Sequence, residues 1–376
     1  MIRKINFLVV ALAVVSQSAF AEIPAPGKLS VGGVSLNAFV DSNYMYNFNK
    51  PSNSLDTILT GQNSYRAYDR AHHQFTLNQA RVGMSGKSGA TAFDLQLGFG
   101  SQLSVLNTVD GAVDTTFQNV RRATVSHNLG GVTFTLGRMD ANFGLERIDS
   151  IDNWNYGRSM AFATMNPKFY NGLKAGYEMG AWDFSVGVAN GADRTIDNNR
   201  GKTFSAAVNY GAGAKTSVGV NYVAGSEKAS DSLKWRHHFG LNAKHAYSDK
   251  FALALDGTFV TGMDEALSTN TAVTNVRGTA RRYSAALYGN ASFLSKHWNT
   301  LRFEWLRDED GAITRMRQSN TFFNTTLTHR YTVTENLSYW AEVRWDHANR
   351  NAFYNQSANL QRDNQVTILV AGTFHI

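Results

Sequence analysis

From Val34 to the last residue the chain alternates apolar and polar side chains in stretches of about ten residues. Phe93, Leu95, Leu97 and Phe99 interleave with Asp94, Gln96, Gly98 and Gly100. Trp182, Phe184, Val186 and Val188 interleave with Asp183, Ser185, Gly187 and Ala189. Leu337, Tyr339, Ala341, Val343 and Trp345 alternate with Ser338, Trp340, Glu342, Arg344 and Asp346. A period of two gives a strand one greasy face and one wet face. Sixteen such stretches can be placed, from Val34–Tyr46 and Gln74–Met84 to Glu335–His347 and Gln365–Ile376. In the second, the apolar register slips between Leu77 and Ala80, which predicts a bulge.

The connections alternate short and long. Seven are short, among them Ser85–Ala90, Gly130-Gly131, Gly180-Ala181 and Ser248-Asp249. Eight are long, from Asn47–His73 through Gln102–Gln118 and Asp140–Pro167 to Ala348–Asn364. The expected fold is all-β: a transmembrane antiparallel β-barrel of about sixteen strands. Short turns face the periplasm and long loops face outwards, with lipid outside the wall and water within. A soluble sandwich would be built from shorter strands of roughly 5–6 residues.

Met1–Ala21 reads as an export signal. Arg3 and Lys4 precede the apolar run Phe7–Val15, and Ala19-Phe20-Ala21 is an A-x-A cleavage site. That run is far short of the roughly 20 residues a spanning helix needs. Cleavage after Ala21 leaves Glu22–Ile376 as one barrel domain, with no composition shift to mark a second. The mean hydropathy of −0.30 would suggest a soluble chain, but half of every barrel strand is polar. The chain has no cysteine, hence no disulfide and no thiolate site. Its formal charge of +7 is scattered, and beyond the export signal Arg121-Arg122 and Arg281-Arg282 are the only basic pairs, which speaks against nucleic-acid binding.

A sixteen-stranded barrel encloses an aqueous channel unless something fills it. The third long connection, Asp140–Pro167, carries Glu146, Arg147, Asp149, Asp152 and Arg158 beside Phe143, Leu145, Ile148, Ile151, Trp154 and Tyr156. Apolar residues predict docking, and charges of both signs suit a pore constriction. Charges on the strands belong on the water face, because Arg or Lys at the lipid midplane costs about 2–4 kcal/mol. Asp94, Arg122, Lys174 and Arg282 are therefore expected to line the pore, as are Arg302, Glu304, Glu342, Arg344 and Asp346. Tyr44, Tyr46, Trp182, Trp235, Tyr247, Trp298 and Tyr331 lie near strand ends, where interfacial anchors sit. Trp340, on the inward parity, is a candidate for stacking on a sugar.

Catalytic and metal sites are not expected. His72-His73, His237-His238 and Ser126-His127 are neighbours, which a strand points to opposite faces. Asp308-Glu309-Asp310-Gly311 reads as a solvated turn, and no cofactor is implied.

The chain resembles the OmpL-like β-barrel porins of Gram-negative outer membranes. The likeness lies in Gln79–Gly83 with Phe93–Phe99, and in Leu136-Gly137-Arg138 leading into Phe143-Gly144-Leu145-Glu146. Asn153-Trp154-Asn155-Tyr156, Arg158-Ser159, Pro167, Asn171-Gly172 and Val188-Ala189-Asn190-Gly191 complete it. It spans most of the mature chain, most clearly Gln79–Asn190. The resemblance implies an outer-membrane channel for small hydrophilic solutes. It also implies outer-membrane lipid around the wall, the barrel-assembly machinery as a partner and a homo-trimer as a candidate assembly. Ile368, Val370, Gly372, Phe374 and Ile376 share one face of the last strand, as an assembly signal would require. Two other readings stay open: a structural or adhesive barrel with a plugged lumen, and a selective sugar or organic-acid channel.

Overall fold

The computed structural model describes residues 30–31, 33–52, 63–110, 117–212, 215–229, 231–263, 265, 278–316, 318–356 and 360–376. The expected export signal and its cleavage point lie outside them. Among the described residues, sixteen long strands form one closed sheet. They are β1 Val34–Asn47, β2 Gln74–Ser88, β3 Thr91–Phe99 and β4 Val120–Leu129. Next come β5 Val132–Asp140, β6 Phe169–Met179, β7 Trp182–Ala189 and β8 Thr203–Ala212. Then follow β9 Thr216–Ser226, β10 Trp235–Ser248, β11 Phe251–Gly262 and β12 Ala280–Leu294. The set ends with β13 His297–Asp308, β14 Asn320–Thr332, β15 Leu337–Ala348 and β16 Asn364–His375. Each pairs antiparallel with the next, and β16 returns to β1 from Thr367↔Asn47 to His375↔Phe39. Closure leaves no unpaired edge, so every wall backbone group can be satisfied within the sheet.

The period of two becomes an outside and an inside. On β13, Leu301 and Phe303 are exposed, while Thr300, Arg302 and Glu304 between them are buried. Val82, Val125, Leu136, Val186, Leu241, Leu287 and Leu327 continue the outward apolar band around the wall. Such a belt is stable where lipid covers it. No helix among the described residues is long and apolar enough to cross a membrane; strands make the crossing.

The slip on the second strand is a bulge. Asp41 faces Gln79 and Ser42 faces Leu77, so Asn78 has no opposite partner. Asn78 and Gln79 are consequently both buried, and the Asn78 amide donates to Asp41 Oδ2 at 3.0 Å. Tight packing fixes two glycines of the Leu136–Arg138 and Asn171-Gly172 motifs. Gly137 and Gly172 face each other across β5 and β6. A Cβ on Gly137 would lie 2.0 Å from the Ala123 carbonyl, and one on Gly172 would lie 2.1 Å from that of Val188. Glycine lets the sheet coil sharply where the chain leaves for its third long loop.

Two local expectations are corrected, and the long connections show an unforeseen feature. Strand β2 runs on to Ser88, so the turn read at Ser85–Ala90 contracts to Gly89-Ala90. Ladder hydrogen bonds continue past the last outward apolar residue, where the pattern fades. The long connections also hold helices, α1 Ser101–Asp110 and α2 Met160–Thr164. Leu103 and Leu106 of α1 bury against Tyr68 and Phe162, a helical spacing hidden in a short polar stretch. Trp298 is not an outward anchor. It shares the parity of Thr300 and Arg302 and lines the lumen near the short-turn end.

Candidate functional site

After β5 the chain turns into the barrel and crosses it before re-entering the wall at β6. The Ala141 amide donates to the Lys168 carbonyl at 2.9 Å and closes the base of this loop. Phe143 seats against Gly240, where a Cβ would come 2.8 Å from its ring, and edge-on to His238. Leu145 and Trp154 pack over Ala254, Ala286 and Tyr288 of β11 and β12. Tyr156 covers Trp340, Met45 and Leu369. Met160 and Ala161 of α2 rest on Val260, Leu306 and Phe322. The apolar residues that stood out in the sequence are the loop's docking face.

Charged anchors fix what the apolar face seats. Glu146 Oε1 pairs with Arg302 Nη1 at 2.7 Å, and its other oxygen accepts the Ser159 amide and hydroxyl at 2.8 and 2.7 Å. Glu304 accepts the Met160 and Ala161 amides at 2.9 and 2.8 Å, which places a carboxylate at the N-terminus of α2. Ser159 caps that helix by accepting the Phe162 amide. Glu342 accepts the Gly157 amide, and a Cβ on Gly157 would lie 2.4 Å from that carboxylate. The Arg158 guanidinium donates into the loop itself, to the carbonyls of Arg147, Tyr156 and Ile148. The Arg158 carbonyl accepts from Arg344 at 2.7 Å. Asp149 pairs with Arg81, and Asp41 accepts from Ser150 and Tyr156 at 2.6 Å each.

Arg302, Arg344 and Asp346 face inwards yet are wholly covered, and Glu304 and Glu342 are nearly so. They hold the loop rather than meet open water. Glu146, Asp149 and Arg158 are buried in the same contacts, whereas Arg147 is half-buried and Asp152 is exposed. Partial desolvation, and then the charge of Asp149, raises the Asp152 carboxyl above its ordinary value. Asp94 and Arg122 form a half-open ion pair at 3.0 Å. Arg282 is buried at the long-loop end.

The loop leans on β10–β16, β1 and β2 and leaves a gap on the other side. A cavity of about 300 Å³ lies between it and β5–β10, lined by Arg147, Lys174, Asp183, Ser205, Asn209 and Asn242. Wider cavities flank the loop. The one on the long-loop side, of about 440 Å³, has Arg66, Tyr68, Lys168, Arg194, Arg236 and Arg282 in its lining. The one on the short-turn side, of about 480 Å³, has Trp154, Lys215, Lys244, Asp249, Trp298 and Arg330. The face of Trp340 is taken by Tyr156 and by the Arg330 guanidinium, 4.7 Å from its ring centre, which leaves no open ring for a sugar. Sequence reading missed Asp41, Arg66, Arg81, Arg236 and Glu265. For Asp41, Arg81 and Arg236, inward parity was the only available signal.

A family described as "Putative beta-barrel porin-2, OmpL-like" matches residues 33–376. A search among curated protein sequences finds no match. Several solved structures share the fold. The anion-selective porin from Comamonas acidovorans is 13% identical, with 91% of this chain and 99% of that one aligned at a TM-score of 0.59. The outer-membrane channel DcaP of Acinetobacter baumannii is 14% identical over 91% and 97%, at 0.57. The trimer form of in-vitro folded OmpT of Vibrio cholerae is 10% identical over 91% and 99%, at 0.57. Identities this low speak for the fold alone.

Proposed function

The chain belongs to the OmpL-like β-barrel porins of the outer membrane, and from that premise we propose that small hydrophilic solutes cross it passively beside the docked loop, with a weak preference for anions. One observation carries this reading. The loop spends most of its charges on fixed partners along one side of the bore, while hydroxyl and amide groups outnumber the charges Asp140, Arg147, Lys174 and Asp183 in the gap opposite. Neutral polar groups exchange readily with water and do not select a solute. The charge balance supports the anion preference. The outer cavity carries seven Arg and Lys against Asp193 and Glu227, and the inner one has Lys215, Lys244 and Arg330 against Asp249. Like-signed walls raise the local concentration of counter-ions.

Planar-bilayer recordings of the purified chain under a salt gradient test this. The expected result is stable conductance steps with a reversal potential on the anion side, and a smaller anion preference after Arg147→Ala with Lys174→Ala. Unchanged conductance and reversal potential in that variant would remove the gap as the constriction. A folded, heat-modifiable barrel that passes no current would point instead to a plugged, structural role.

The reading extends to biogenesis. Export uses Met1–Ala21 with cleavage after Ala21, which N-terminal sequencing of the membrane form checks. Insertion runs through the barrel-assembly machinery, and the mature unit is a homo-trimer. OmpT, described in a trimer form, lends support to that last point.

A further inference from the structure

At the outer mouth, two arginines from separate strands grip one carboxylate. Arg236 opens β10 and Arg282 lies at the start of β12, with β11 between them. Arg236 donates to Glu265 Oε1 at 2.6 Å, and Arg282 Nη2 pairs with Glu265 Oε2. Planar guanidinium groups bind carboxylates in this manner wherever a site is built for them. Glu265 belongs to the loop after β11, only three residues past Gly262. A Cβ on Gly262 would lie 2.4 Å from the Glu265 carboxyl carbon and would push that carboxylate aside. Burial raises the Glu265 carboxyl, but the two guanidinium groups outweigh it and hold the group below its ordinary value.

The clamp opens onto the outer cavity, which Arg236 and Arg282 both line. The same lining holds an apolar patch built from Ala67, Tyr68, Val105 and Leu106. The Tyr68 hydroxyl is buried in that patch and has no hydrogen-bond partner among the described residues. Arg282 Nε likewise lacks an acceptor there. A buried donor without a partner is costly, so the cavity favours a guest that supplies an acceptor. About 440 Å³ is within the range of small-molecule sites.

We propose that the Arg236–Arg282 clamp is a solute-binding site for small carboxylates with a compact apolar body, and that Glu265 is its tethered competitor. A solute carboxylate displaces Glu265, its apolar body rests on the Tyr68 patch, and dissociation lets Glu265 return. The inference rests on the channel reading above and adds the solute class and an occupancy control.

Benzoate is the probe, with benzamide as its neutral counterpart, applied to the full mature chain in planar bilayers. Benzoate should produce concentration-dependent blockades of the chloride current, and benzamide none. Glu265→Gln should strengthen benzoate block on the order of tenfold, because a tether of a few residues acts as a competitor at millimolar effective concentration. Gly262→Ala should do the same by displacing the carboxylate. Arg236→Gln with Arg282→Gln should abolish the block while the channel still conducts. Titration calorimetry of benzoate into the detergent-solubilised barrel reads the same ranking without any current. Equal benzoate affinity in the parent, E265Q and the double arginine variant, with normal conductance, overturns the proposal and leaves the porin reading intact. Absence of conductance in the parent overturns the reading beneath it, and the clamp as a transport site falls with it.

Discussion

The two sides of the lumen are built from the same alternating strands and do opposite work. Along β13 and β15 the inward charges Arg302, Glu304, Glu342 and Arg344 are buried under the loop, and Asp346 is buried beneath Arg66 of the first long connection. Along β7, β8 and β10 they include Ser185, Ser205, Asn209 and Asn242, which border an open gap. Charge density in this barrel therefore does not mark the solute path. Most inward charges anchor the partition, and small neutral side chains, with Arg147, Lys174 and Asp183 among them, line the gap that remains.

The strongest test of this contrast is Arg302→Ala. It leaves Glu146 buried without its 2.7 Å partner, and breaking such a pair costs about 3–5 kcal/mol. The expected outcome is a larger, noisier conductance and protease access to the loop, whereas Asn209→Ala changes neither. Next in size is a steric reversal. Ser205→Phe should cut most of the current by filling the gap, while Thr326→Phe, on the fully packed side, should loosen the loop and raise it. Single-channel amplitudes read both.

A smaller effect concerns pH. The Asp152 carboxyl is raised by partial desolvation and by the charge of Asp149, so it takes up its proton above the usual carboxylate range. As pH falls through that point the bore loses a negative charge and anion preference should grow. Reversal potentials against pH should show the rise, and Asp152→Asn should flatten it. The smallest change is expected for Lys244→Met. The Lys244 ammonium lies 5.0 Å from the Trp154 ring centre on the inner side, so a slight loss of anion preference with unaltered unitary conductance should follow.

The wall was legible because a strand in lipid needs nothing from its sequence beyond a period of two. Even the bulge near Asn78 showed, as an interruption of that period between Leu77 and Ala80. The loop showed as a docking element because Phe143, Leu145, Trp154 and Tyr156 have no place in solvent. Its partners were not legible. Asp41 with Tyr156, Arg81 with Asp149 and Arg236 with Glu265 join residues from different elements, and periodicity says which face a residue takes but not what covers it. The inward parity of Arg302 and Glu342 could be read along their strands. Their burial could not, because it depends on which side the loop leans towards.

The loop's anchors also set an order of events. It precedes β6 in the chain, yet Met160 bonds to Glu304 across 144 residues and Gly157 to Glu342 across 185. Those partners exist as a surface only once the later half of the wall has been laid down. Closing such long intervals is slow and entropically costly. An undocked loop during assembly is the expected consequence, and with it a nascent barrel more permeable than the finished one.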